Sequence, residues 1–264
     1  MNVTIKQIIE LLPSAPAPLE QTVDQLLYGD EQQVVSKVGI AFMANQEVLE
    51  QAVALDISLI ISHEGLYYSH HQAYPAANDP ELYKQRERYI KEHKLAIYRY
   101  HDHCHRHVPD YITRALVQKL NWQSAITDET ANAAILKLPP LKLEALIKHV
   151  KQRLQLPYIR YRGDLDATCV HVGVLVGFRG NGSTVIPLIA EHQLDAIIIG
   201  EGLEWEAPEY VRDAAMLGKP CALIVLGHAE SEQPAMELLA TQLSLACPQL
   251  TVQHLAAKPL YTIG

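Results

Sequence analysis

The sequence predicts an α/β protein of two related halves sharing a central cleft, and three observations carry that expectation. Strand-length apolar runs alternate with helical stretches along most of the chain. The order then recurs: VGIAF, a helical segment and LDISLIISHEGLYYS around residue 38 are echoed by VGVLVGF, a helical segment and LDAIIIGEGLEWEA around residue 172. Each copy is followed by one more apolar strand that opens onto a polar cluster, LAIYRYHDHCH in the first half and ALIVLGHAESE in the second. Laid on this repeat, His101 falls on His228, His105 on Glu232 and Glu64 on Glu201.

Taken in order, TIKQIIELL spaces its apolar residues as a helix does, and PSAPAP stops it, because proline lacks the amide donor and fixes its own φ. VVSKVGIAF, NQEVLEQAVAL and ISLIIS form a β-α-β unit whose continuous apolar strands read as a buried parallel pair. SHEGLYYSHHQAYPAANDP is a loop, ELYKQRERYIKEH a charged amphipathic helix and LAIYRYH the next strand. VPDYITRALVQKLNW is helical with proline near its start. In ILKLPPLKLEALIKHVKQRLQLPYIRYRG a Pro-Pro step precedes a helix and then a strand. From Val170 a second β-α-β unit runs through DAIIIG, APEYVRDAAMLG and CALIVLG to the helix EQPAMELLATQLSLA, and the tail TVQHLAAKPLYTIG adds a final strand. This divides the chain into residues 1–123 as a first α/β half, 124–168 as a linking or inserted segment and 169–264 as a second α/β half.

The formal charge of -8 and the absence of a Lys/Arg run argue against nucleic acid as a partner, since phosphate neutralisation needs clustered cations. Four cysteines, far apart and without a C-x-x-C pair, fit reduced thiols rather than a disulfide framework or a zinc ribbon. MNVTIKQIIELL lacks the pattern of a signal peptide, and no apolar run reaches ~18 residues. The expectation is a cytoplasmic protein with no membrane span.

Eight of the 13 histidines lie in the stretch from His63 to His107. His63 and Glu64 directly follow a buried strand, where ligands gather in open α/β sheets, or they serve as a hydrogen-bonded loop anchor. HDHCHRH, residues 101–107, is either a solvated polar loop or a short helix placing His101 and His105 on one face, a spacing at which two imidazoles can take one metal. His228 and Glu232 have the same four-residue spacing, beside Glu230 and Ser231, which suit a helix start. Glu201 is a weaker candidate, because Gly200 stands where His63 would be, and GFRGNGS reads as a turn rather than a phosphate loop. His70 and His71 lie in a polar loop with no counterpart in the repeat. No motif supports Ser-His-Asp or Cys-His catalysis.

With these motifs in order, the chain resembles the Nif-three-like dinuclear metal-centre family, the YbgI-type proteins often described as GTP cyclohydrolase 1 type 2 homologues. ISHEGLYY stands where the family has two adjacent histidines, AIYRYHDHCH where it has a strand, Tyr and a His-Thr-Asn-Leu-Asp pattern, and VLGHAESE where it has Gly-His with Glu four residues later. Two positions depart: Glu64 replaces the second histidine, and His105 falls where the family has its metal-bridging aspartate. Asp102 could substitute for that aspartate if the loop shifts. The resemblance implies two divalent ions, a hexameric ring and a small-molecule substrate. Mixed imidazole and carboxylate donors suit zinc, iron, manganese or nickel.

The expected function is therefore a metal-dependent hydrolase, with cyclohydrolase or phosphoester chemistry, on His63, Glu64, His101, His105, His228 and Glu232. A non-catalytic metal-binding regulatory or scaffold assembly is the alternative. Arg99, Arg106, Arg160, Arg162 and Arg179 are the cations available to a triphosphate.

Overall fold

A computed structural model describes residues 3–14, 20–70 and 80–262. They divide into two compact units, Met1–Arg106 with Met236–Gly264, and His107–Ala235.

In the first unit, β1 (Val3–Thr4) leads into α1 (Ile5–Glu10), whose start is fixed by a capping box between Thr4 and Gln7. β2 (Gln25–Tyr28) and β3 (Val34–Val35) follow, β3 pairing antiparallel with β1. β4 (Lys37–Ala41), α2 (Gln46–Ala54), β5 (Leu59–Ser62), α3 (Pro80–Glu92) and β6 (Ala96–Arg99) then alternate as strand and helix. β4, β5 and β6 are parallel neighbours, and β2 runs antiparallel along β6. All four residues of β5 and of β6 are buried, which is why these segments read as continuous apolar runs. Val48, Leu49, Ala52 and Ile90 of the helices pack on Ile60 and Ile97. α4 (Asp102–His105) is a single turn just beyond β6.

The second unit opens with α5 (Tyr111–Lys119), capped by the Asp110 carboxylate, which accepts from Thr113 N. β7 (Ile126–Glu129), β8 (Ala134–Lys142), α6 (Leu143–Leu154) and β9 (Arg160–Arg162) come next. β10 (Thr168–Val174), α7 (Gly182–Glu191), β11 (Ala196–Ile199), α8 (Ala207–Met216) and β12 (Ala222–Val225) repeat the strand and helix alternation of the first unit, with the three strands again parallel. The sheet order is β7-β8-β10-β11-β12-β9. Residues 124–168, expected as a linking or inserted segment, thus supply three of its strands, because β8 pairs with β10 along most of its length. Pro139 and Pro140, expected to precede the helix, do so from inside β8, which ends at Lys142 directly before α6. The register shifts opposite them, between Cys169 and His171, so the missing amides fall at a bulge.

α9 (His228–Ala246) begins in the second unit and ends in the first, four residues earlier than the expected start at Glu232. β13 (Thr251–His254) pairs parallel with β4 and gives the first sheet its order, β13-β4-β5-β6-β2. The final strand therefore belongs to the first unit rather than to residues 169–264 as one half. None of the four cysteines is in a disulfide, and all four are buried. Among the described residues, no helix is long and apolar enough to cross a membrane.

Candidate metal centre

β5 and β6 are adjacent, parallel and in register, with Ser62 opposite Arg99, so the residues leaving both strands emerge at the same end of the first sheet. His63 and Glu64 leave β5 there, and His101 leaves β6 to begin α4. Three imidazoles come together. The ring centroids of His63 and His101 are 4.6 Å apart, those of His63 and His105 5.1 Å and those of His101 and His105 4.7 Å. One nitrogen of each lies within 4.8 Å of the others, and the Nε2 atoms of His63 and His105 are 3.2 Å apart. Two ligands held at ~2.1 Å from one tetrahedral ion are ~3.4 Å apart, so the His63 and His105 pair has that spacing already.

Hydrogen bonds on the far side of two rings fix which nitrogen faces inward. Nδ1 of the fully buried His63 is 3.1 Å from the Tyr100 carbonyl, which can only accept, so Nδ1 carries the proton and Nε2 the lone pair. His101 Nδ1 is 3.0 Å from Asp102 Oδ1, which orients that ring in the same way. Burial alone would lower the His101 pKa, but hydrogen bonds to Asp102 and Glu64 outweigh it and carry the pKa up to about 9. The same contact with His101 holds the Asp102 carboxyl well below the usual carboxylate range. At neutral pH the imidazole group thus holds a proton that an incoming cation must displace.

Glu64 is placed differently. Its Oε2 accepts from Arg99 Nη2 at 3.3 Å and from Gly65 N at 3.1 Å, while its Oε1 is 3.6 Å from His101 Nε2. Arg99 is fully buried at the end of β6 and also donates to the His70 carbonyl and, at 3.2 Å, to His70 Nδ1. Glu64, His70 and His101 form a second group of donor atoms within 4.8 Å of one another. His70, expected in a polar loop, is therefore beside the cluster, and His71 lies outside the described residues.

The residue least visible in the sequence is Asp24. Its carboxylate, whose side chain is 1% exposed, accepts the backbone amides of His101 (2.7 Å), Asp102 (2.8 Å) and His103 (3.0 Å). It caps α4 from 77 positions away in the chain, and its Oδ2 is 2.6 Å from His103 Nδ1. His103 is thereby turned to Asp24, while His105, two residues on, meets His63.

In the second unit, Glu201 leaves β11 and His228 leaves β12, which are likewise adjacent and parallel. His228 Nδ1 is 2.8 Å from Glu201 Oε1, and its Nε2 is 3.3 Å from Glu232 Oε2 one helical turn on. Glu201, the weaker sequence candidate, thus orients the His228 ring. Glu232 is 2% exposed. Gly177, at φ +54°, passes so close that a Cβ there would lie 2.2 Å from Glu232 Oε1. Its amide donates to Ser231 Oγ at 2.9 Å, which fixes the loop against the start of α9.

Three of the five arginines named for a triphosphate are already paired with carboxylates. Arg99 is committed to Glu64 and His70, Arg179 to Asp110 at 3.0 Å and Arg160 to Glu204 at 2.8 Å.

The family model described as Duf34/NIF3 (NGG1p interacting factor 3) matches residues 3–259. Among solved structures, a Bacillus cereus protein related to NIF3 is similar with a TM-score of 0.74 and 17% identity, covering 99% of each chain. The Staphylococcus aureus hypothetical protein SA1388 gives 0.76 and 17%, covering 98% of this chain and 99% of that one. Protein ybgI, described as of unknown function, gives 0.75 and 20%, covering 97% and 99%. At such identities these likenesses speak for the fold. A comparison with curated proteins gives no significant match.

Proposed function

Because the chain belongs to the Duf34/NIF3 (NGG1p interacting factor 3) family, we propose that it is a metal-dependent, hydrolase-like protein whose first unit binds a divalent ion through His63, His101 and His105. The observation that carries this reading is the inward aim of His63 and His101, whose outer nitrogens are taken by the Tyr100 carbonyl and the Asp102 carboxylate. The reading extends the metal-ligand role to His228 and Glu232, whereas Glu64, also singled out as a ligand in the sequence, is taken up by Arg99 and serves beside the ion rather than on it. Imidazole with carboxylate suits zinc, iron, manganese or nickel. Such an ion would supply Lewis acidity, activating water against a polarised carbonyl, ring carbon or phosphoryl group.

The chain's own residues would do the rest. Asp102 holds the His101 ring in place, and Glu64, 3.6 Å from its Nε2, is near enough to take up a proton released there. Ser231 and Gly177 keep Glu232 and His228 in one arrangement. With three of the five arginines named in the sequence, Arg99, Arg160 and Arg179, each held by a carboxylate, Arg106 and Arg162 remain for a triphosphate, which favours a less charged small molecule over a nucleoside triphosphate. Cytoplasmic location and the hexameric ring implied by the resemblance belong to the same proposal, and light scattering on the purified protein tests the ring.

Metal analysis of protein purified without a histidine tag, followed by a screen of cyclic amides, phosphomonoesters and nucleotides with and without chelator, tests the function. Turnover that disappears with chelator and returns with one divalent ion is the expected result. Bound metal without turnover of any class would favour the regulatory or scaffold alternative, and absence of metal binding would refute the reading.

A further inference from the structure

The sequence resemblance implies two ions, but the residues around Glu64 already hold a fixed positive charge. Arg99 is 0% exposed, and its Nη2 lies 3.3 Å from Glu64 Oε2 and 3.2 Å from His70 Nδ1. We propose that this buried guanidinium stands in for a second metal ion, so that the first unit binds one divalent ion on His63, His101 and His105 and none on the Glu64 side. The inference rests on the metal-binding reading above.

Three features of the second donor group support it. A guanidinium only donates, so His70 Nδ1 accepts from Arg99 and its proton is on Nε2, leaving neither nitrogen a lone pair to offer. His101, common to both donor groups, has its Nδ1 on Asp102 and only Nε2 to give, which serves one ion. Glu64 has its charge balanced by Arg99, and the same oxygen also accepts the Gly65 amide. No neutral form of arginine is accessible to relieve the repulsion between its charge and a neighbouring dication.

His105 adds to this. A carboxylate can bridge two ions with its two oxygens, whereas the one inward nitrogen of His105, 3.2 Å from His63 Nε2, offers a single lone pair. The glutamate at 64 and the arginine at 99 therefore make sense as a pair: each neutralises the other where an imidazole and an ion would otherwise be.

The test is the zinc content of apo protein reloaded with excess zinc and passed through a desalting column. Arg99→Met keeps the length of the side chain and removes its charge, and Arg99→Gln keeps a donor. Both remove the positive charge between Glu64 and His70, and both are expected to bind one more zinc ion per chain than the unsubstituted protein. An unchanged count in folded Arg99 variants would overturn the proposal. Should those variants fail to fold, the unsubstituted protein loaded with excess manganese decides it. An isolated six-line electron paramagnetic resonance signal supports a single ion, and the spectrum of a spin-coupled pair overturns it. Failure of the unsubstituted protein to bind either metal would instead refute the metal-binding reading on which the proposal stands.

Discussion

The carboxylate of Asp24 lies 2.6 Å from Nδ1 of His103 and at the same time accepts the three backbone amides that open α4. A helix of four residues cannot hold its own shape, since nucleation costs more than its one or two internal bonds return. Asp24 supplies the missing bonds. Asp24→Ala is expected to lower stability by roughly 2–3 kcal/mol, leaving part-buried amides without this acceptor. By loosening His101 and His105 it should also weaken divalent-ion affinity by about 10–100-fold. Denaturant titration and calorimetry measure the two effects, and a variant with unchanged metal affinity would show that α4 keeps its geometry without this cap.

Protonation of His101 should set opposite pH trends in the apo and metal-loaded forms. Its pKa is up to about 9 in the folded chain, against ~6.5 for an unfolded histidine. A raised pKa contributes stability that is complete below ~6.5 and is lost as pH rises through about 9. The metal must displace that proton, so affinity should rise across the same window, by up to about tenfold per pH unit. Melting of chelator-treated protein and metal titration, each between pH 6 and 9.5, check the pair of slopes. Parallel slopes would contradict the assignment of His101 as a ligand.

Much of this arrangement is legible in the sequence, because the ends of buried parallel strands are where apolar runs stop and polar residues begin. His63 after LIIS and His101 after AIYRY are found by that rule, and the four-residue spacing of His101 and His105 anticipates a turn of helix. Other features depend on partners that local pattern does not reveal. Asp24 meets α4 across 77 residues, and the burial of Arg99 rests on partners 35 and 29 residues away, Glu64 and His70. That Pro139 and Pro140 lie within a strand is not visible locally, because the bulge that accommodates them is a property of the pairing with β10. The last strand pairs with β4 near the start of the chain, which no periodicity announces.

Gly177→Ala should damage the second unit out of proportion to the size of a methyl group. The residue is at φ +54°, where a side chain costs roughly 1 kcal/mol, and its Cβ would lie 2.2 Å from the buried Glu232 Oε1. Glu232 must move away, taking with it the 3.3 Å contact to His228. A loss of roughly 1–3 kcal/mol is expected by thermal or chemical denaturation. Gly218→Ala, also at positive φ but with nothing within 4 Å of its Cβ, is the control that isolates backbone strain from displacement of the carboxylate.

The cysteines should be inert in the native protein. Burial pushes the Cys169 thiol up to about 11 and Cys221 up to about 12, and Cys104 and Cys247 are 0% and 4% exposed. Since the thiolate is the nucleophile, Ellman's reagent at pH 8 should find no fast-reacting thiol until denaturant is added, and four afterwards. A fast-reacting thiol in the folded protein would reopen the question of cysteine chemistry.

α4 itself provides the most discriminating test of the metal centre, because it carries two histidines with different assignments. His105 Nε2 is 3.2 Å from His63 Nε2 and belongs to the three-imidazole group. His103 is turned to Asp24, its Nδ1 2.6 Å from that carboxylate and its ring 6.4 Å from Tyr100. His105→Ala should therefore lose an inward donor outright, lowering affinity by about 100-fold or more, while His103→Ala should cost less than about tenfold, through a slackened cap alone. The helix propensity of alanine is the same at both positions, so local unfolding cannot produce the difference. Metal titration of the two variants side by side measures it. Equal losses would mean that α4 acts as a scaffold for the cluster and not as a source of its ligands.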